Sequence, residues 1–238
     1  MTGTPRERAR AQTMAEITRI GCQQLIEHGA AGLSLRAVAR ELGVVSSAVY
    51  RYVASRDDLL TLLLVDAYNE LGDAVDNAVA EVQQRDGFDS GRAQFRALAR
   101  AVRGWAVAEP ARYALLFGSP VPDYHAPAEQ TVGPGTRVIV TLMHIIESSY
   151  RTGDLTQPVS IPAASLPATL RRDFDRIRGQ FEFEVPDAVI ARGLLVWSAL
   201  FGAVSFDVFD QYGTDTFTDR GILFDHHIDM LADSLGLS

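Results

Sequence analysis

The segment from Leu33 to Arg56 constrains this chain most, because its pattern predicts two short helices joined by a tight turn. Gly43 supplies the backbone freedom that the chain needs to leave the first helix sharply. Val49 and Val53 are four residues apart, so they lie on one side of the second helix and are expected to pack against the first helix. The first helix has an apolar face of its own at 3.6-residue spacing: Leu35, Val38, Ala39 and Leu42.

The other positions of the second helix are small, hydroxylated, aromatic or cationic, which is not the composition of a core: Ser46, Ser47, Ala48, Tyr50, Arg51 and Tyr52. Small residues let a helix approach the floor of a major groove, while hydroxyl groups and arginine reach phosphates and base edges. The segment therefore predicts a helix-turn-helix that binds duplex DNA.

The charge distribution agrees with that interpretation although the whole chain carries −8. Residues 1–56 hold eight arginines against four glutamates, a net charge of +4. The remainder holds 14 basic and 26 acidic residues, a net charge of −12. A basic head on an acidic body is typical of a DNA reader with a separate regulatory domain. We therefore expect a helix-turn-helix domain over 1–56 and a second domain over 57–238.

Length and composition limit the class of protein. A chain of 238 residues, 47% of them apolar, has ample material for a core. No apolar run is expected to approach the ~20 residues that span a bilayer, and the charged N-terminus does not resemble a secretory signal. The single cysteine, Cys22, excludes an intrachain disulfide and is compatible with a reducing cytoplasm. We expect a cytoplasmic protein with no membrane partner.

The periodicity predicts an all-α fold. No segment shows the sustained period-2 alternation that requires a sheet. The stretch 118–135 is expected to be irregular because it is rich in proline. Two short helices are expected on either side of the turn at Gly43, the first of them capped by Ser34. Longer helices are expected over 6–27, from the Ser55 cap to about residue 85, and over 88–108, 111–117, 136–150, 169–180, 187–212 and 218–235.

With these residues in view, the chain resembles the tetracycline-repressor (TetR) family of bacterial regulators. The matching motifs are Gly43-Val44, Val49-Tyr50-Arg51-Tyr52-Val53 and Ser55-Arg56-Asp57-Asp58-Leu59. The body resembles the subgroup with a Trp-His-Gly C-terminal domain, through Glu109–Gly118 and Trp197–Gly202. Phe201 stands where that motif has its histidine.

The resemblance implies a homodimer formed by the last two helices, 187–212 and 218–235. It also implies which residues approach an inverted-repeat operator. Ser34, Tyr50, Tyr52 and Arg56 are assigned mainly to phosphates, and Arg36, Ser46, Ser47 and Ala48 to base edges. Tyr52 is expected to be exposed because it adjoins the buried Val53. Core packing stays an alternative for Tyr50, and the valine at position 45 departs from the family pattern.

The body holds candidate residues for an apolar or aromatic ligand. Each of them could instead belong to the core, and a core position is preferred for His144. The candidates are Trp105, Tyr113, Phe117, His144, Tyr150, Trp197 and Phe201.

No cofactor and no metal are expected. His226 and His227, beside Asp225 and Asp229, point about 100° apart on a helix and cannot easily share an ion. The chain has no glycine-rich phosphate loop, nucleophile elbow or zinc-protease motif, so an enzyme is not expected.

Three functions remain open at this level. The leading one is a repressor released from its operator by a small molecule. The second is a regulator without such an effector, which could act as an activator. The third is a helical enzyme or carrier that merely resembles the family.

Overall fold

The structure, a computed structural model, describes residues 4–86, 90–155 and 166–237. In these ranges the regular secondary structure is helical, which confirms the all-α fold class. The helices are α1 (Pro5–His28), α2 (Leu35–Glu41), α3 (Ser46–Tyr50), α4 (Arg56–Asp86), α5 (Gly91–Ala108), α6 (Pro110–Phe117), α7 (Ala128–Thr152), α8 (Ala168–Phe181), α9 (Asp187–Val208) and α10 (Arg220–Leu235), with a short 3-10 turn at Ala30–Gly32.

The chain packs as two compact units. The head unit comprises Met1–Glu70 and Glu109–Gly135, and the body unit comprises Leu71–Ala108 and Thr136–Ser238. The head unit therefore takes in the beginning of α4 and the segment around α6. A domain boundary directly after residue 56 stays a prediction.

Local capping explains how the head helices begin and end. Thr4 and Glu7 form a reciprocal capping box at the start of α1, and Asp58 donates its backbone N–H to the Ser55 hydroxyl at 3.0 Å before α4. Gly29 and Gly43 both have a positive φ, 65° and 68°, where a side chain would be strained. These two glycines allow the chain to leave α1 and α2 in new directions.

The core of the body unit forms where α5, α9 and α10 pack together. All six apolar positions predicted to face inward from α5 are buried: Phe95, Leu98, Ala99, Val102, Trp105 and Ala106. From α9 and α10, Val196, Leu200, Phe224 and Ile228 are buried as well. The predicted helical face of α5 is therefore confirmed, although its expected first residue, Phe88, lies outside the described residues.

The expectation of irregular structure over 118–135 is wrong for residues 128–135. Helix α7 begins at Ala128 and passes through Pro134. A proline inside a helix costs a backbone hydrogen bond. The burial of Val138, Leu142 and Ile146 further along the same helix holds it against the body core.

Helix α9 also corrects an expectation. By length and mean hydropathy, 1.8 over its most apolar 18 residues, Asp187–Val208 is apolar enough to cross a bilayer. The expectation that no apolar segment approaches the length needed to span a bilayer is therefore wrong. Since α9 packs against α5, α8 and α10 in the body unit, its apolar character is accounted for in part by the core.

Candidate DNA-binding site

The recognition helix α3 is positioned by the core of the head unit. Val49 and Val53 are buried against Val38 and Ala39 of α2. Contributions from the longer helices complete this core: Ile17, Ile20, Leu59, Leu60 and Leu63. Only one side of the short α3 is used for packing, so its other side is presented to solvent.

Ser34 lies at the N-terminus of α2 and is committed to the fold. Its hydroxyl accepts the backbone N–H of Ala37 at 3.4 Å, while its own N–H donates to the Gln24 side-chain oxygen at 2.9 Å. A serine hydroxyl that accepts one hydrogen bond can still donate its proton. Ser34 can therefore cap α2 and contact a phosphate at once.

The solvent side of the helix-turn-helix is mixed in character. Arg36, Ser47 and Tyr50 are exposed, and Ser46 and Ala48 are half-buried. Tyr50 is 44% exposed, so its core-packing alternative is not supported. These side chains, with the exposed Arg40 and Arg51, can together offer hydroxyl groups, guanidinium groups and one methyl group to DNA.

Tyr52 is not exposed as expected. It is half-buried and packs against the head core, and the Arg10 guanidinium lies 5.3 Å from the centre of its ring. The cation on α1 covers one face of the ring, an interaction that sequence spacing alone does not reveal. Tyr52 therefore ties α1 to the end of the helix-turn-helix as well as being a candidate for a phosphate contact.

Arg56 is likewise half-buried. One of its terminal nitrogens donates to the carbonyl oxygen of Ala30 at 2.9 Å, and the other lies 3.8 Å from the Asp57 carboxylate. The side chain thus connects the start of α4 to the 3-10 turn after α1. A guanidinium has five N–H donors, so this bond leaves donors for a phosphate.

Two valines before α3 were not among the predicted site residues. Val44 and Val45 are both exposed, Val45 to 71%. Beside them a groove of about 360 Å³ is lined by Gln12, Thr13, Glu16, Leu42, Val44, Ala48, Val49 and Tyr52. The departure of Val45 from the family pattern was the one signal in the sequence that pointed here.

The seven candidate ligand residues divide between the two units. In the head unit, Tyr113 is fully buried and its ring centre lies 5.0 Å from that of Phe117. In the body unit, Trp105 is buried, Tyr150 is half-buried, and Trp197 and Phe201 form an edge-to-face pair at 5.7 Å. They do not all line one cavity within one unit.

His144 corrects the preference for a core histidine. Its side chain is 57% exposed and lies 3.6 Å from the Glu147 carboxylate, with its ring 5.3 Å from that of Phe183. Its neighbour Met143 is the residue that α7 turns into the core. Adjacent helical residues point about 100° apart, which explains the difference.

Helix α4 carries ion pairs in each unit. In the head, Arg112 of α6 is almost buried and bonds to both Asp66, at 2.6 Å, and Glu70. Burial raises the pKa of Asp66 above its ordinary value, although the Arg112 charge opposes that shift. In the body, Arg137 of α7 binds Asp73 at 2.7 Å and Asp76 at 2.6 Å.

A row of ion pairs joins α5 to α9 and α10. Three arginines of α5 meet aspartates of α10 at the same four-residue spacing: Arg92–Asp233 at 2.6 Å, Arg96–Asp229 at 2.5 Å and Arg100–Asp225 at 2.9 Å. Arg103 binds Asp207 of α9 at 2.7 Å. Asp225 and Asp229, the two acids beside His226 and His227, are therefore engaged by arginines. That arrangement gives the two carboxylates a structural role.

The body unit exposes an apolar surface on α9 and α10. The α9–α10 surface, as we call it, consists of large apolar side chains with a shallow groove of about 370 Å³ beside them. Small residues, Ala199, Gly202 and Ala203, line that groove on α9. The exposed members of the surface are Leu195 (65%), Phe206, Phe209 and Met230. Ile222 is 70% exposed but lines a different cleft, with Arg100 and Arg103.

A basic head with an exposed recognition helix, followed by a helical body, defines a helix-turn-helix transcriptional regulator. Residues 17–63 match the family described as bacterial regulatory proteins, tetR family. Residues 95–231 match the tetracyclin repressor-like C-terminal domain. The chain belongs to the TetR family of DNA-binding transcriptional regulators, as its motifs predicted, and this family is not one of enzymes.

The relatives agree with this assignment. The chain is 51% identical over 222 residues to the HTH-type transcriptional regulators Rv1816 of Mycobacterium tuberculosis and Mb1846 of Mycobacterium bovis, covering 92% of this chain and 91% of each relative. Among solved structures it resembles the regulatory protein SCO4313, with a TM-score of 0.74 and 32% identity over 97% of this chain and 100% of that one. The closer likeness to the Trp-His-Gly subgroup stays a prediction.

Proposed function

We propose that the protein is a homodimeric repressor that binds an inverted-repeat operator and is released from it by a small apolar or aromatic molecule. The α9–α10 surface is the observation that supports a dimer. A symmetric dimer in turn favours an operator that is an inverted repeat. Large apolar side chains that stay in water are costly, and a contiguous patch of them is typical of an interface. Two copies joined through this surface by a two-fold axis would bury it on both sides.

The DNA contacts follow from the proposed dimer. Each copy would present one α3 helix, and the two helices would enter successive major grooves about 34–36 Å apart. The exposed Arg36 and Ser47, with the half-buried Ser46 and Ala48, are proposed to contact base edges. Ser34, Tyr50, Tyr52 and Arg56 are proposed to contact phosphates and so to fix the register of α3 in the groove. Such a protein acts where bacterial DNA lies, in the cytoplasm.

Ligand release is proposed to act through α4. This helix contributes Leu59 and Leu63 to the head core and Leu71 and Val75 to the buried residues of the body unit. The ion pairs of Arg112 and Arg137 hold it in each unit. A ligand that binds best when α4 has shifted would lower operator affinity, and operator DNA would weaken ligand binding by the same factor.

The residues proposed for the ligand are the aromatic candidates that keep some exposure. Trp197 and Phe201 form a half-buried pair on α9, and Tyr150 on α7 is also half-buried. The exposed His144 completes this set in the body unit. Phe117, half-buried in the head unit, stays a separate candidate. An apolar pocket with a few polar groups is the usual setting for a small ligand.

A regulator without a small-molecule effector is the second candidate. The burial of Trp105 and Tyr113 favours it, because these two candidates already fill core space that a ligand would otherwise occupy. In that case abundance or a protein partner would control DNA binding, and the protein could act as an activator.

The proposed function is tested by selecting random duplex DNA on the purified protein at about 150 mM salt, where non-specific phosphate binding is weak. Sedimentation equilibrium on the same sample measures the oligomeric state. An enriched inverted repeat from a dimer supports the proposal. A monomer, or a folded dimer that enriches no sequence, contradicts it.

The effector is tested on the same operator complex. A library of apolar and aromatic compounds is screened for release of fluorescent operator DNA, and each hit is measured for binding with and without DNA. A compound that binds the free protein more tightly than the complex supports ligand release, since the coupling must be reciprocal. Absence of any such compound favours the second candidate.

A further inference from the structure

Val45 is held in a defined position directly before the recognition helix. The Val44 backbone N–H donates to the carbonyl oxygen of Ala39 at 3.0 Å, and the Val45 carbonyl accepts the N–H of Ala48 at 2.9 Å. The backbone is therefore fixed on both sides of the residue. Its side chain nevertheless remains 71% exposed, while Val49, one turn later, is buried.

Neither capping nor packing accounts for a valine at this position. Val45 is the N-cap residue of α3 and makes no side-chain hydrogen bond to it. Serine, threonine, aspartate or asparagine would cap the helix better. An isopropyl group that stays in water also contributes little to the core. The stabilising contact of this side chain is therefore expected with a bound partner.

The chemistry of the major groove limits what that contact can be. The residues at the N-terminal end of a recognition helix are those that meet base edges. Ser46 and Ser47 follow Val45 and supply hydroxyl groups, whereas Val45 supplies only methyl groups. Among the four base pairs, the apolar group offered to the major groove is the C5 methyl of thymine.

We propose that Val45 is a specificity-determining residue that packs against the C5 methyl of one thymine in each half-site. This inference rests on the proposed function, since it requires a specific operator. The side chain is placed before DNA arrives, so the contact removes apolar surface from water on both partners without ordering a flexible group. Polar neighbours fix the register, and Val45 distinguishes thymine from cytosine at one position.

The test removes the methyl group from either side of the contact. In the operator obtained by selection, each thymine is replaced in turn by deoxyuridine, symmetrically in both half-sites. Dissociation constants are measured by fluorescence anisotropy for the wild type and for Val45→Ser. Val44→Ser serves as the matched control, because Val44 is the adjacent exposed valine. Val45→Ser is expected to unfold at the wild-type temperature or slightly above it, because serine can cap α3. Val44 is 44% exposed, so Val44→Ser is compared with the wild type at a temperature where both are shown to be folded.

One thymine is expected to depend on Val45. Loss of its methyl should weaken the wild-type complex about fourfold for each half-site, which is the effect expected for one buried methyl group. The same deoxyuridine substitution should weaken DNA binding by Val45→Ser less than about twofold. It should weaken DNA binding by Val44→Ser as much as it weakens binding by the wild type.

The outcomes separate this inference from the function it rests on. If every deoxyuridine substitution weakens binding of the wild type and of Val45→Ser by the same factor, the proposed role of Val45 is wrong. The proposed function as a repressor is not affected by that result. An operator with no thymine in its half-sites leads to the same two conclusions. If no operator is enriched at all, both the proposed function and the role of Val45 fall.

Discussion

The guanidinium of Arg56, at the first residue of α4, donates a hydrogen bond across 2.9 Å to the carbonyl oxygen of Ala30. The two residues are 26 positions apart, so the bond fixes the start of α4 against the turn that follows α1. A residue predicted only to hold DNA thus also holds together the elements that orient the recognition helix.

The double role of Arg56 gives two separable expectations. Arg56→Gln should lower the free energy of unfolding by about 1–2 kcal/mol, because a hydrogen bond from a charged donor is lost. It should also reduce the slope of log K against log salt by about 1 for each subunit, and so by about 2 for the proposed dimer, because each copy loses one phosphate contact. Urea unfolding and binding titrations between about 50 and 200 mM salt measure the two effects.

A control separates local from general effects of charge. Arg151→Gln removes an exposed arginine from α7 in the body unit and should change neither quantity. Unchanged stability of Arg56→Gln would contradict the structural role. An unchanged salt slope would contradict the phosphate contact.

Arg36 and Tyr50 are expected to differ in what they contribute to DNA binding. Arg36→Ala should relax the sequence preference at one base pair by about 1–3 kcal/mol, because a bidentate contact to a base edge is lost. Tyr50→Ala should weaken specific and non-specific DNA by similar factors, because a phosphate contact carries no sequence information. Selection on randomised operators gives the preference, and anisotropy gives the affinities.

The result that would count against these roles is simple to recognise. A preference matrix for Arg36→Ala identical to that of the wild type removes Arg36 from base readout. A Tyr50→Ala variant that loses specific binding while keeping non-specific binding would make Tyr50 a base-reading residue instead.

The helix-turn-helix could be predicted from sequence because its determinants are local. Gly43 has the positive φ that the turn needs, and Ser34 caps α2 by accepting the backbone N–H of Ala37, three residues further along the chain. The position of Tyr52 could not be predicted, because Arg10 reaches its ring from another helix. Ion pairs between distant residues could not be predicted for the same reason. Arg112 binds Asp66, 46 residues away, and the sequence around neither residue indicates which partner it has.

The α9–α10 surface leads to a prediction about the dimer. Met230→Arg should convert the proposed dimer to a monomer, because a charge would have to be buried within the apolar interface, beside the groove that Met230 lines. Val107→Arg places the same charge on a half-exposed valine of α5 and should leave the dimer unchanged. Sedimentation equilibrium measures both. The interface lies elsewhere if Met230→Arg remains a folded dimer with wild-type affinity.

The Arg112 ion pairs predict a stabilising contact between α6 and α4. Arg112→Met keeps most of the side-chain volume but leaves the carboxylates of Asp66 and Glu70 without this cation. The free energy of unfolding should fall by about 1–3 kcal/mol, less than for a fully buried pair, because both carboxylates are nearly half exposed. Urea unfolding is the measurement, and Arg151→Met, at an exposed site, is the control. Equal stability of the two variants would contradict the contact.

The Arg100–Asp225 pair predicts how stability depends on pH. The hydrogen bonds from Arg100 hold the pKa of Asp225 below its ordinary value, with further help from the charges of Arg103 and Arg96. The folded state therefore binds this proton less readily than the unfolded state. The resulting stabilisation is fully present above the unfolded pKa of about 4 and is lost as the pH falls through the lower, folded pKa.

Urea unfolding of the wild type and Asp225→Asn at several values between pH 7 and pH 2.5 tests that sign. The wild type should be the more stable at pH 7, and its advantage should shrink below about pH 4, where the carboxylate of the unfolded chain is protonated and the variant resembles the acid form. Asp215→Asn, at an exposed aspartate before α10, should differ little from the wild type throughout. An advantage that stays constant or grows as the pH falls would mean that Asp225 contributes through its shape and not through its charge.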